Sequence, residues 1–250
     1  MQIGGAGLSL DGPRTKVVVV GDAGVGKSSL VQTLCAQPIR NPPWTVGCSV
    51  EVFVHTYRAG TPQESAELIE LWDLGGSRSY QNSRRVFYQN RHGLVLVHDA
   101  SNRRSEENLR LWMSEVVSAR GGDHGPSSPN SRDSSPLPSS ILDGEQSYGE
   151  RSIPILVVGT KADLAQQPAT TTTTTRSTPS KLAMDYGADE ICIDCRQAIS
   201  PGSTVGLKLA KFFDKVIECR GRQQQRGARA GSPYNSPVTS LIMDRRRKLL

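Results

Sequence analysis

Four consecutive valines, Val17 to Val20, run directly into Gly21-Asp22-Ala23-Gly24-Val25-Gly26-Lys27-Ser28. No other stretch of the chain restricts its fold so tightly. A short run of β-branched residues suits a strand buried on both faces. The spacing that follows, G-x-x-x-x-G-K-S, is that of a loop whose backbone N–H groups curl around a phosphate. Glycine permits the curl because it has no Cβ to clash in left-handed backbone. A helix is predicted over Ser29–Ala36, and its N-terminus directs a positive dipole end at the same anion. In this pattern Lys27 reaches the β- and γ-phosphates and the Ser28 hydroxyl ligates Mg²⁺. Every residue from Gly21 to Ser29 is thus a nucleotide-binding candidate.

Three further apolar runs read as buried parallel strands: Leu94–Val97, Ile155–Val158 and Ile191–Ile193. Ser49–Tyr57 alternates instead, and Leu68–Asp73 follows a Gly60-Thr61-Pro62 turn, so this pair reads as an antiparallel edge hairpin. Between strands lie helical patterns. Ser105 is placed to N-cap a helix whose first turn holds Glu106 and Glu107 and whose stripe is Leu109, Trp112 and Val116. Val205, Leu209, Phe212 and Val216 mark a last helix. Strands alternating with helices specify an α/β fold, a mostly parallel, doubly wound sheet with one antiparallel edge hairpin.

Low-complexity segments interrupt this order. Gly121–Arg151 is rich in Ser, Pro, Gly and Asp, and Thr170–Thr175 is a homopolymer. Neither can bury enough apolar surface to offset chain entropy. The expected organisation is a short N-terminal segment (1–14), one domain (15–220) carrying the 121–151 insert and a Thr-rich loop (168–180), and a disordered basic tail (221–250).

Charge follows that division. Of the chain's 30 basic and 24 acidic residues, Arg220–Leu250 holds eight and one, so the body carries 22 against 23. A near-neutral body argues against nucleic acid as a partner, since phosphate contacts need a clustered basic face. The five cysteines are irregularly spaced and the N-terminal segment lacks a secretory pattern, which reads as free thiols in a reducing cytoplasm. No prenylation motif or other lipid anchor is expected at the C-terminal end. At most, Arg245-Arg246-Arg247-Lys248 supports weak peripheral contact with an anionic membrane.

Further polar residues complete a candidate site. Asp73 ends the second hairpin strand in Trp72-Asp73-Leu74-Gly75-Gly76. A carboxylate there holds Mg²⁺, directly or through water, and Gly76 lets its N–H approach a γ-phosphate. Thr45 offers a hydroxyl from a Pro-rich loop. The metal candidates are Ser28, Thr45 and Asp73; the catalytic candidates are Lys27, Thr45 and Gly76. Thr160-Lys161-Ala162-Asp163 closes the Ile155–Val158 strand. The Asp163 carboxylate can accept from N1–H and the C2 amine of guanine, a pair that adenine lacks.

Taken with Trp44-Thr45-Val46-Gly47-Cys48, Ile69-Glu70-Leu71-Trp72-Asp73, Leu96-Val97-His98-Asp99 and Lys211-Phe212-Phe213-Asp214, these motifs resemble the small GTPases, within them the Rab-like branch. The resemblance covers most of residues 16–219. It implies a GTP/GDP switch with slow hydrolysis, Mg²⁺ as cofactor, protein effectors docking at the switch loops, and exchange or activating factors. A role in signalling or trafficking follows, and a homodimer is left open. Thr45 becomes the switch I threonine, and Asp73 and Gly76 enter switch II. Lys161 lies along the base and ribose, Thr160 and Asp163 flank the base, and Asp194-Cys195 falls where a backbone N–H meets guanine O6.

Departures from the family pattern bear on activity. Ser77 stands where relatives carry the glutamine that orients the attacking water. Thr160 replaces an asparagine that contacts the base and ties neighbouring loops. Pro38-Ile39-Arg40-Asn41-Pro42-Pro43 offers no aromatic to stack on guanine. Each change is expected to weaken hydrolysis or nucleotide retention. A non-cycling, nucleotide-stabilised scaffold is therefore the alternative. A phosphoryl-transferring metabolite kinase is disfavoured, because no Arg-rich lid is present. Cys192-x-x-Cys195 reads as packing rather than redox chemistry, and Trp112 as core. Trp44 reads equally as a partner anchor or as loop packing.

Overall fold

The valine run alternates between two cores. In the computed structural model Val17 and Val19 pack with one apolar cluster, and Val18 and Val20 with the other, all fully buried. The structure describes residues 13–38, 41–119, 153–165 and 180–229. The 121–151 insert, the threonine tract, Ile39-Arg40 and the Arg245–Lys248 run lie outside the described residues.

Strands β1 (Thr15–Val20), β2 (Cys48–Tyr57), β3 (Ser65–Leu74), β4 (Gly93–Asp99), β5 (Ile155–Thr160) and β6 (Asp189–Cys192) form a six-stranded sheet ordered β2-β3-β1-β4-β5-β6. Only β2 and β3 pair antiparallel; the remaining pairs are parallel. The α/β expectation holds, including its edge hairpin. β3 begins at Ser65 rather than Leu68, because its ladder with β2 continues to Tyr57 opposite Ser65. The same register sets Ser49 beside Asp73.

Helix α1 (Lys27–Leu34) starts earlier than the expected Ser29, since Gly26 adopts φ 93° and turns the chain into the helix at once. It ends before Ala36, which lies at φ 50°. Short α2 (Gln81–Arg84) sits between single 3₁₀ turns, Arg78–Tyr80 and Arg85–Tyr88. The helix expected from Ser105 is two: α3 (Arg103–Glu107) and α4 (Leu109–Ser118). Its cap is not Ser105. Asn102, in extended backbone, accepts from the N–H of Arg104. Ser105 is buried inside α3, where its hydroxyl donates to the Asn102 carbonyl at 2.7 Å and accepts from the N–H of Asp99 at 3.0 Å. A short polar side chain therefore anchors α3 to the end of β4.

After α5 (Ala162–Ala165) and α6 (Lys181–Asp185), α7 (Thr204–Arg229) runs for 26 residues. It passes residue 220, where a disordered tail was expected; Gln223-Gln224-Gln225 and the neighbouring arginines are good helix formers. Leu209, Phe212, Phe213 and Val216 join Leu30 and Val31 of α1 on one sheet face. Leu109, Trp112, Met113 and Val116 of α4 cover the other with Leu182 of α6. Among the described residues no helix is long and apolar enough to cross a membrane. The chain divides into two units, 1–219 and 220–250, and the sheet belongs to the first.

Candidate functional site

The C-terminal ends of the parallel strands face one edge of the sheet, the usual location of ligands in such folds. β1 delivers the Gly21–Ser28 loop there, β3 delivers Asp73 and Gly76, and β5 delivers Lys161 and Asp163. A cleft of about 470 Å³ is lined by Gly24, Gly26, Lys27, Ser28, Ser29, Thr45, Gly76, Ser77 and Lys161, with Trp44 and Tyr80 at its border. Asp73 lines a second cleft, which Ser28 and Thr45 also line. Gly76 presses on the phosphate loop so closely that a Cβ there would sit 2.4 Å from the Ala23 nitrogen.

Lys27 is 6% exposed. Its ammonium donates to the carbonyls of Gly21 at 2.9 Å and Asp22 at 2.7 Å. Burial lowers its pKa to about 8, against the pull of Asp73 and Asp22. A polyphosphate in the cleft would supply the missing counter-charge.

Asp73 Oδ2 accepts from Ser28 Oγ at 2.5 Å and from Thr45 Oγ1 at 3.1 Å, and the two hydroxyls lie 3.0 Å apart. The other oxygen, Oδ1, is buried and has no hydrogen-bond partner among the described residues. Burial raises the Asp73 carboxyl above its ordinary range, opposed by Ser28, Lys27 and Thr45. An unpartnered buried carboxylate oxygen beside two hydroxyls is a hard, oxygen-only donor set that suits Mg²⁺. Bound there, the cation would neutralise phosphate charge and hold the carboxylate ionised.

Asp22 behaves differently from its neighbours in the loop. Both of its carboxylate oxygens are taken by α4 and the turn before it: Trp112 Nε1 donates to one at 2.8 Å and Asn108 Nδ2 to the other at 2.7 Å. Trp112 is core, as expected, and its polar edge holds the phosphate loop in place. Sequence reading missed this bond. The usable signal is that a buried indole N–H needs an acceptor.

On the base side, Thr160 is 1% exposed. Its hydroxyl lies within bonding reach of the Val25 carbonyl and 3.0 Å from that of His98. The tie between the phosphate loop and the base-side strand therefore survives the replacement of asparagine by threonine. Lys161, at φ 55°, pairs with Asp99 Oδ2 at 2.6 Å. Burial alone would raise Asp99, but bonds from Lys161 and Ser101 bring it below its ordinary value. Asp163, in the first turn of α5, is ion-paired with Arg196. Asp194 receives the Arg196 N–H at 2.9 Å and Gln197 Nε2 at 3.1 Å. The Cys195 carbonyl accepts from Thr33 Oγ1 of α1 at 3.0 Å, and burial pushes its thiol up to about 11. Cys195 is buried and Cys192 exposed, so the packing expected of the pair is seen at Cys195 alone.

Comparison with known proteins agrees with this geometry. Residues 16–125 match the family model described as Ras of Complex, Roc, domain of DAPkinase. Rab-like protein 3 of Danio rerio is 44% identical over 222 residues, covering 85% of this chain and 88% of that protein. Its Homo sapiens counterpart is 42% identical, with 85% and 87% covered. Small GTPase LIP1 of Arabidopsis thaliana is 36% identical over 168 residues, or 63% of this chain and 44% of the plant protein. A sheet with one antiparallel edge, a GxxxxGKS loop on β1 and identity at this level over most of the chain place it in one group: the chain belongs to the Rab-like small GTPases.

Proposed function

We propose that the protein is a GTP/GDP-binding molecular switch with slow intrinsic hydrolysis. The observation that carries the reading is the meeting of Ser28, Thr45 and Asp73 around an unpartnered carboxylate oxygen, beside Lys27. Phosphoryl transfer needs positioning and charge neutralisation more than covalent help. Lys27 and the loop amides hold the β- and γ-phosphates. Ser28 and Asp73 would hold Mg²⁺, which would supply charge neutralisation. Thr45, bonded here to Ser28 and Asp73, would add its hydroxyl from the loop before β2, the loop whose order would depend on the γ-phosphate. Asp163 reads guanine, with Lys161, Asp194 and Cys195 around the base.

Residues 15–220 form the switch domain, and the 121–151 insert, the Thr-rich loop and the basic tail are appendages to it. Effectors dock at the exposed Thr45 loop, where Trp44 is 83% and Val46 74% exposed. Exchange and activating factors act on the same face. The protein works in the cytoplasm, in signalling or trafficking, with the basic tail available for peripheral membrane contact. The competing reading is a non-cycling scaffold. It is favoured by Ser77, whose hydroxyl lies 2.7 Å from that of Ser79.

Nucleotide extracted from the purified protein tests the proposal. Guanine nucleotide at close to one per chain is the expected result. Adenine nucleotide, or none retained or bound on loading, overturns it.

A further inference from the structure

One buried cation ties the Gly76 loop to helix α4. Arg84 is 2% exposed. Its Nη1 donates to the Gly75 carbonyl at 3.0 Å and also to the Ser77 carbonyl, one residue either side of Gly76. Its Nε and Nη2 each reach one oxygen of Glu115 on α4 at 3.0 Å. The guanidinium carbon stands 4.4 Å from the centre of the Trp112 ring, whose N–H is bonded to Asp22 of the phosphate loop. Tyr88 completes the cluster, donating to Glu115 Oε1 at 2.7 Å.

Each member is held by another. Glu115 has a donor on both oxygens, and Asp22 is fixed by Trp112 and Asn108. Swinging the Gly75–Ser77 segment outward would strip both carbonyls from Arg84. It would leave Nη1 of a 2% exposed guanidinium without an acceptor, while Nε and Nη2 stay on Glu115. A buried charged donor without a partner is costly. A ligand shifts a loop only by as much as it discriminates between the loop's two states. At this segment GTP differs from GDP by what the γ-phosphate offers the Gly76 N–H. That single bond is set against the whole cluster. The Thr45 loop is tied more lightly, by its hydroxyl to Asp73 and Ser28 and by the Gly75 N–H to the Gly47 carbonyl at 2.9 Å.

We infer that Arg84 is a positioning residue that holds Gly75–Ser77 in one conformation in both nucleotide states, so that the Thr45 loop alone reports the γ-phosphate. The inference rests on the nucleotide-switch reading and narrows it to one moving loop. It also means that the Ser77 carbonyl is fixed beside the γ-phosphate site whichever nucleotide is bound.

Hydrogen exchange of the full chain, loaded with Mg²⁺ and either GDP or a non-hydrolysable GTP analogue, tests this. In the native protein, exchange at residues 77–80 should agree within about twofold between the two states, while residues 43–48 differ at least tenfold; the N–H groups of Gly75 and Gly76 are left out, because one bonds the Gly47 carbonyl and the other faces the γ-phosphate. Arg84→Lys keeps the charge and loses the planar fork; it should make residues 77–80 state-dependent as well. Glu115→Gln, nearly isosteric, should do the same to a smaller degree. General destabilisation would speed exchange equally in both states, so the difference between states isolates positioning. State-dependent exchange at 77–80 in the native protein, with the phosphate loop protected by both nucleotides, overturns the inference alone. So do both variants leaving 77–80 state-independent. Absence of protection at the phosphate loop by either nucleotide overturns the switch reading, and the inference with it.

Discussion

The guanidinium of Arg196 is ion-paired with the carboxylate of Asp163, the candidate base reader. Guanine offers that carboxylate its N1–H and C2 amine, which together form the edge of a guanidine. Arg196 and the base therefore present the same donors to one acceptor. The Arg196 side chain is 65% exposed, and exposed pairs are worth only about 0.2–1 kcal/mol. Arg196→Ala should accordingly tighten GDP binding, by up to about fivefold. Competition titrations with fluorescent GDP check the sign. Weaker binding in the variant would mean that Arg196 holds the nucleotide rather than competing with it.

Asp163 itself should set base choice. Asp163→Asn exchanges one acceptor for a donor, which suits the C2 carbonyl of xanthine better than the C2 amine of guanine. The ratio of affinities for GDP and xanthosine diphosphate should shift toward xanthine by at least tenfold, or about 1.4 kcal/mol. An unchanged ratio would remove Asp163 from the base site.

Thr160 is expected to act through the loops it ties. Its hydroxyl bridges toward the Val25 and His98 carbonyls from a buried position. Thr160→Val keeps the shape and removes the donor, leaving buried carbonyls short of a partner at a cost of about 1–3 kcal/mol. Denaturant unfolding should register that loss, and GDP release should speed up. Thr160→Ser should restore most of both. Equal stability and release in the Val variant would show that the tie carries nothing.

How much was readable in advance depended on how local each feature is. The Gly21–Ser28 loop, Asp73 and Gly76 were legible because each is announced by its own neighbours: a β-branched run before the loop, a strand ending in Asp before the glycines. The cluster around Arg84 was not legible. Its bonds join residues 31 apart to Glu115, and 90 apart from Asp22 to Trp112, and no local pattern encodes such pairings. Ser105 misled for a related reason. It is a good capping type, but Asn102 reaches the free N–H first, and burial gives the serine hydroxyl another task. The extension of α7 past residue 220 was hidden by composition, since a basic, glutamine-rich stretch reads as tail until its helix propensity is weighed.

Hydrolysis should be very slow. Glutamine-bearing relatives turn over unaided at about 3–5 × 10⁻⁴ s⁻¹. A serine side chain is shorter than the glutamine it stands in for, and the Ser77 hydroxyl lies 2.7 Å from that of Ser79. Single-turnover GTP hydrolysis at saturating nucleotide is expected at or below roughly 10⁻⁴ s⁻¹. Ser77→Gln should raise it, because the Ser77 backbone is already held by Arg84. Much faster hydrolysis by the native protein would mean that another residue positions the water.

The most direct test of the whole account is a displacement titration of fluorescent GTP from the native protein and from Asp73→Asn, each with Mg²⁺ and with chelator. A single saturable site is expected, from which GTP and GDP, but not ATP, displace the probe. Chelator should weaken binding to the native protein at least tenfold and change Asp73→Asn far less, because that variant has lost the carboxylate with the unpartnered oxygen. Displacement by ATP as readily as by GTP, or native binding indifferent to chelator, would contradict it.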